Sequence, residues 1–138
     1  MRFFIIFFFF TNSVVADQGI NGIVVSPARS LKKLEIDGNS IRAESGVMLG
    51  RLVKECMKNN LSGLETLVGV PGTLGGALVM NAGAFGGEIS NYLQSVEIMK
   101  MNGSTKTYKT KDINFSYRFS SFKQDEFIIL ASFILPNE

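Results

Sequence analysis

The spacing of apolar and polar positions changes several times along the chain, and each change predicts an element. Residues 23–25, Ile-Val-Val, form a short apolar run of strand type. Residues 34–36 and 41–43 flank Asp37-Gly38-Asn39, and together they predict a hairpin. Met48, Leu49, Leu52, Val53, Cys56 and Met57 then recur at helical spacing, with Arg51, Lys54, Glu55 and Lys58 on the opposite face. Asn59-Asn60 can end that helix in the left-handed region. Residues 95–100 and 105–108 flank Asn102-Gly103, a strong hairpin signal that places Val96 and Ile98 on one face. A polar stretch, 111–114, leads to Phe115-Ser116-Tyr117-Arg118, and residues 127–135 read as a final buried strand. β structure thus comes first, a helix follows, and a second hairpin and a strand close the pattern, without an internal repeat.

The composition narrows the chemistry. With 138 residues, 46% apolar and 19% charged, the chain has the resources for one packed domain and lacks the signature of disorder. A formal net charge of +2 is too small to imply a nucleic-acid or membrane-surface role. There is no His, no Trp and one Cys, so a disulfide framework, a Cys/His zinc site and imidazole acid–base chemistry are all excluded within this chain. A cofactor that carries its own reactivity fits this shortage best. Cys56 lies on the apolar helical stripe and is expected to serve as a small core residue.

Six of the twelve Phe fall within residues 1–10. One reading is a leader, with Arg2 as a minimal basic region, 3–10 as its apolar region and Val14-Val15-Ala16 as a cleavage site before Asp17. An equal one is a buried strand followed by a loop.

Residues 66–87 are the most informative stretch: 22 positions without a charge, containing Gly69, Gly72, Gly75, Gly76, Gly83, Gly86 and Gly87. The length would suit a membrane helix, but Pro71, Asn81 and seven glycines would weaken such a helix at several points. Clustered glycines also let a backbone approach a ligand, and successive N–H groups can form a concave anion site. The spacing is neither G-x-G-x-x-G nor a Walker A loop, and no Lys lies between Lys58 and Lys100. Backbone amides and hydroxyls such as Thr73 would therefore hold a phosphate, which favours a dinucleotide cofactor over a triphosphate.

The strings Gly63-Leu64-Glu65, residues 69–77 (GVPGTLGGA) and residues 80–88 (MNAGAFGGE) closely resemble the flavin-binding core of the UDP-N-acetylenolpyruvoylglucosamine reductases, also called UDP-N-acetylmuramate dehydrogenases. Residues 11–20 (TNSVVADQGI) look like that family's Gly-Ser-Asn loop with its following Asp and Gly, and Phe115-Ser116-Tyr117-Arg118 looks like its Tyr-Arg motif. The resemblance implies an α+β fold, an FAD-binding domain of the vanillyl-alcohol-oxidase (PCMH) type, incomplete at its N-terminus. It further implies non-covalent FAD and NADPH-dependent reduction of UDP-N-acetylglucosamine enolpyruvate to UDP-N-acetylmuramate for peptidoglycan. Arg118 would stabilise charge developing on the carboxylate side of the substrate, with Tyr117 beside it. Asn12, Gly69, Pro71, Gly72, Thr73, Gly75, Gly76, Asn81, Gly83, Phe85 and Gly86 would lie on or near FAD, while some of these glycines would simply permit packing.

Two departures qualify what this chain is expected to do. Phe9 and Phe10 stand where the family carries glycines, and Thr11 replaces its Ser, which would crowd half of the pyrophosphate cradle. The residues themselves give 1–10 as a Phe-rich strand or leader-like segment, and the resemblance implies 11–138 as a partial FAD domain. The substrate domain that supplies a proton-donating Ser and a Glu would be missing, so full turnover is not expected. A small UDP-sugar partner, no nucleic acid, no membrane and a cytoplasmic location follow from the same likeness. The competing expectations are a small membrane protein spanning at 66–87 and a secreted β-rich binding module with a leader.

Overall fold

The structure is a computed structural model that describes residues 3–6 and 14–137. Strand β1 (Phe3–Ile6) pairs in parallel with β2 (Gly22–Val25), whose residues are exposed. The hairpin β3 (Leu34–Asp37) and β4 (Ser40–Glu44) turns through Gly38-Asn39, where Gly38 takes φ +57°. Helix α1 (Leu49–Lys58) follows, then α2 (Leu74–Val79) and the small hairpin β5 (Gly83–Ala84) and β6 (Gly87–Glu88). A long hairpin, β7 (Leu93–Lys100) and β8 (Thr105–Lys109), is followed by a short one, β9 (Phe115–Ser116) and β10 (Phe119–Ser120). The last strand is β11 (Glu126–Ile134). It inserts between β4 and β7 to complete an antiparallel five-stranded sheet of order β3-β4-β11-β7-β8.

Both hairpins and the helix lie where the apolar pattern puts them. The helical stripe is narrower than expected: Leu49, Leu52, Val53 and Cys56 are buried, whereas Met48 and Met57 are about half exposed. Met48 precedes the first turn with extended backbone, and Met57 lies about 100° round the helix from Cys56, which turns each away from the sheet. Asn60 adopts φ +56° and stops the helix.

One face of the sheet supplies Ile41, Ala43, Val96, Ile98, Ile128, Ala131 and Phe133 to a core that the buried stripe of α1 joins, together with Leu74, Ala77 and Leu78 of α2. Burial of each such large side chain contributes about 1.5–3 kcal/mol. Strict alternation would not bury both Leu93 and Val96, nor both Ile128 and Ala131, since each pair is three residues apart. Two register shifts between β11 and β7, at Gln94 and at Ile129, restore the phase. The bulge at Ile129 also aims its carbonyl at the Ser45 amide (2.7 Å), which anchors the segment leading from β4 into α1.

At the outer end of the sheet, Glu126 is buried and accepts hydrogen bonds from the Tyr108 hydroxyl (2.5 Å) and the Lys123 amide (3.0 Å). That bond, with desolvation and the nearby carboxylates, pushes the Tyr108 phenol up to about 12. Residues 66–87, read above as one span under the membrane alternative, are divided among a 3₁₀ turn, α2 and a hairpin. Among the described residues no helix is long and apolar enough to cross a membrane.

Candidate functional site

The glycine-rich loop is fixed from one side by the Ser45–Leu49 segment. The Leu49 amide donates to the Gly72 carbonyl, Leu74 to Val47 and Gly75 to Ser45, at 2.8–2.9 Å. Met48 and Thr73 form an antiparallel bridge, so the loop runs as a short ladder into α2. Pro71 fixes the approach, and Gly72 takes φ +117°, a conformation that side-chain-bearing residues rarely adopt. Thr73, buried and extended, caps α2 by accepting from the Gly76 amide through Oγ1, at a long 3.4 Å. The amides of Leu74 and Gly75 are therefore already committed. Those of Gly69 and Gly72 meet no acceptor among the described residues.

Beyond α2, three residues other than glycine hold left-handed backbone: Asn81 (φ +43°), Phe85 (φ +50°) and Arg118 (φ +53°). The chain turns back so tightly at 81 that the Asn81 side chain is wholly buried, and its Nδ2 donates to Glu88 Oε2 and to the Ser116 carbonyl, both at 3.0 Å. Its Oδ1 is buried without a partner, a costly state for a polar atom unless a donor arrives. Phe85 and Gly86 form the two-residue tip of the β5–β6 hairpin, both with positive φ, and Phe85 projects into solvent at 95% exposure. Tyr117 and Arg118 form the tip of β9–β10, with Tyr117 82% exposed and the guanidinium carbon 5.1 Å from its ring centroid. The Ser120 hydroxyl, donating to the Val79 carbonyl at 2.6 Å, ties this second hairpin to the end of α2.

The glycines divide by what surrounds them. A Cβ on Gly69 or Gly86 would meet nothing within 4 Å among the described residues, so the backbone there stands open. A Cβ on Gly83 would lie 2.9 Å from the Gly87 carbonyl oxygen and 3.4 Å from an Arg118 nitrogen, and one on Gly87 would strike Thr66. The first pair is available to a ligand, and the second permits packing. Gly75 and Gly76 sit in the first turn of α2. Asn12, with Phe9, Phe10 and Thr11, lies outside the described residues. The residues in view suit an anionic dinucleotide: open backbone at Gly69 and Gly86, uncommitted amides at Gly69 and Gly72, and an orphaned acceptor on Asn81. Cys56 is buried in the core, where desolvation pushes its thiol up to about 11, and the chain has no His. A covalent flavin link through either residue type has no support.

Sequence reasoning did not single out Glu88, Ser116 or Ser45 as parts of this arrangement. Glu88 closes the glycine string and was legible as a neighbour. The part played by Ser116 and Ser45 is carried by main-chain carbonyls, which leave no side-chain signature.

An open glycine loop clamped to the strand–helix connection of an α+β sheet, with two hairpin tips beside it, is the setting of a nucleotide-cofactor domain. The family model described as FAD binding domain matches residues 8–109, and the chain belongs to this family. It is similar to UDP-N-acetylenolpyruvoylglucosamine reductases: 38% identical over 122 residues to that of Syntrophomonas wolfei and 38% over 124 residues to that of Caldanaerobacter subterraneus. These matches cover 88% and 90% of this chain, and the chain spans 41% of the length of each relative. The crystal structure of the reductase from Thermus caldophilus superimposes with a TM-score of 0.73 at 28% identity, over 87% of this chain and 44% of that one. 6-Hydroxy-D-nicotine oxidase from Arthrobacter nicotinovorans shares the fold, a PCMH-type one, with a TM-score of 0.61 at 17% identity over 86% of this chain and 28% of that one.

Proposed function

We propose that this chain is the flavin-holding core of a UDP-N-acetylenolpyruvoylglucosamine reductase, which uses NADPH to reduce UDP-N-acetylglucosamine enolpyruvate to UDP-N-acetylmuramate. The observation that carries the reading is the likeness to such reductases over nearly nine-tenths of this chain, which takes in the ordered glycine string. Bound FAD supplies the hydride chemistry that no side chain here provides. Gly69, Pro71, Gly72 and Thr73 bring main chain to the cofactor's phosphates, with Gly75 and Gly76 setting the turn of helix behind them. Asn81 offers Oδ1 as an acceptor. Phe85 and Gly86 present the open hairpin tip, while Gly83 keeps the floor thin. Asn12 is assigned to the same cradle on the sequence likeness alone.

Arg118 forms no ion pair among the described residues, so its guanidinium is free to engage the substrate carboxylate in two parallel hydrogen bonds. As negative charge grows on that side of the enolpyruvyl group, the fixed cation stabilises it without reorganising. Tyr117 supports the guanidinium through its ring face. UDP-linked precursors of this type are cytoplasmic, and we place the protein there. No nucleic acid enters this scheme.

The test is the absorbance spectrum of the purified chain, with any flavin released by heat and identified. FAD in near-stoichiometric amount is the expected result, and a folded chain that takes up no FAD when it is supplied would overturn the reading. For Arg118, we expect R118A to keep FAD and to lose, by at least tenfold, affinity for UDP-N-acetylglucosamine enolpyruvate followed by flavin absorbance.

A further inference from the structure

Arg118 occupies a place that its own backbone does not favour. Left-handed φ opposes any residue with a Cβ, and the local contact that offsets it for Arg118 is the neighbouring Tyr117 ring. The two-residue turn calls for that conformation and the Ser120–Val79 bond tethers the hairpin, but a further hold reaches the residue just before the tip. The main sheet is not the source, because β9 and β10 pair only with each other.

The contacts converge on Glu88. Asn81 is wholly buried and uses both hydrogens of its side-chain amide, one on Glu88 Oε2 and one on the Ser116 carbonyl, immediately before the tip. Glu88 in turn is fixed by β6, whose register sets it across from Gly83. A Cβ on Gly83 would lie 3.1 Å from Glu88 Cγ and 3.4 Å from an Arg118 terminal nitrogen, so the acid and the guanidinium flank the same bare α-carbon. Yet no Glu88–Arg118 ion pair forms within 4.0 Å. The carboxylate acts one amide removed: it orients Asn81, and Asn81 orients the turn. A direct ion pair would place a carboxylate on the guanidinium and compete with any incoming anion. The relay leaves the cation open.

We propose that Glu88 is a positioning residue that presets Arg118 for an anionic ligand by acting through Asn81 and the Ser116 carbonyl. The ligand itself rests on the reading given above, and the preset turn does not. In this scheme Gly83 is required because its missing side chain makes the slot. Asn81 must be an amide, since Asp at 81 would face two acceptors with no hydrogen to give.

Hydrogen exchange over residues 115–120 of the full chain tests the brace without cofactor or substrate. E88A is expected to raise exchange at the amide of Phe119, which pairs across the tip with Ser116, at least tenfold, with exchange in β7 and β11 unchanged. E88Q, which keeps an acceptor oxygen, should restore protection to within about twofold, and N81D should behave as E88A does. Unchanged exchange in E88A would overturn the proposal, as would loss of protection throughout the sheet, since that would be general destabilisation. A double-mutant cycle with UDP-N-acetylglucosamine enolpyruvate on the FAD-loaded chain then separates the two readings. E88A should weaken binding about tenfold in the parent chain and by less than twofold when Arg118 is already Ala. If R118A weakens binding and E88A does not, the positioning role fails while the proposed function stands. If R118A itself has no effect while E88A loosens the turn, the brace stands and the ligand assignment fails.

Discussion

Gly69 and Gly83 are both glycines of the same segment, but their surroundings demand opposite outcomes from the same substitution. At Gly69 the space is open and φ lies outside the left-handed region, so G69A should leave the fold intact and even stabilise it by a few tenths of a kcal/mol through the unfolded chain. The added methyl stands beside an uncommitted amide, and we expect FAD affinity to fall at least fivefold. At Gly83 the new methyl would meet the Gly87 oxygen at 2.9 Å, and G83A should cost about 1–3 kcal/mol in urea unfolding. Equal stability losses for both would contradict the division into ligand-facing and packing glycines. Tyr108 provides a second residue-scale test, of ionisation. Its phenol, ordinarily near 10, is pushed to about 12, so its bond to Glu126 contributes stability fully present below pH 10 and lost as pH rises through about 12. One of the three tyrosines should therefore titrate late in ultraviolet difference spectra, and Y108F should abolish that late step. A titration that is the same in parent and Y108F would remove the hydrogen bond as its cause.

Elements built from local signals were legible in the chain, and elements built from pairing were not. Gly38-Asn39 and Asn102-Gly103 each carry the residue that a two-strand turn requires, and α1 is marked by spacing alone. The bulges at Gln94 and Ile129 were invisible, because two residues oppose one only once the partner strand is known. The same holds for β9–β10, read as one motif and found folded back between Ser116 and Phe119. In the site, Arg118 and the glycines were legible as residue types in order, while the carbonyls of Ser45 and Ser116 that hold them belong to no motif. Helix α2 was not read from the pattern: it is only six residues long, its Thr73 was read as a phosphate-facing hydroxyl and is found as the cap, and its anchoring to Ser45 and Val47 belongs to no motif. Because so short a helix depends on its first turn, T73A should destabilise the chain by about 1 kcal/mol and T73S by much less, measured by urea midpoint at constant slope. Equal effects of the two variants would show that the methyl packing of Thr73, not its oxygen, sets the helix start.

At the scale of the molecule, the core and the site share one set of connections, so cofactor and stability should be linked. The Ile129 bulge holds Ser45, Ser45 holds Gly75, and α2 passes from that clamp to Val79, which takes the Ser120 hydroxyl of the hairpin bearing Arg118. A ligand seated against Gly69–Gly72 and Asn81 therefore touches the connection between sheet and helices rather than a peripheral loop. Unfolding must release it. Binding to the folded state alone stabilises by RT ln(1 + [L]/Kd), about 2.7 kcal/mol when free FAD is at a hundred times its Kd. For a domain of this size that corresponds to a rise in melting temperature of roughly 10 °C, growing with the logarithm of FAD concentration. The adenine half supplied as ADP should give a smaller rise, since it carries the pyrophosphate without the flavin end. G69A should reduce the FAD shift, whereas Y108F should leave it unchanged because the contacts of Tyr108 run to Glu126, Phe122 and Lys106 rather than to the glycine loop. A melting temperature independent of FAD, in a chain that unfolds cooperatively, would mean that the open glycine loop is not a cofactor cradle in this protein.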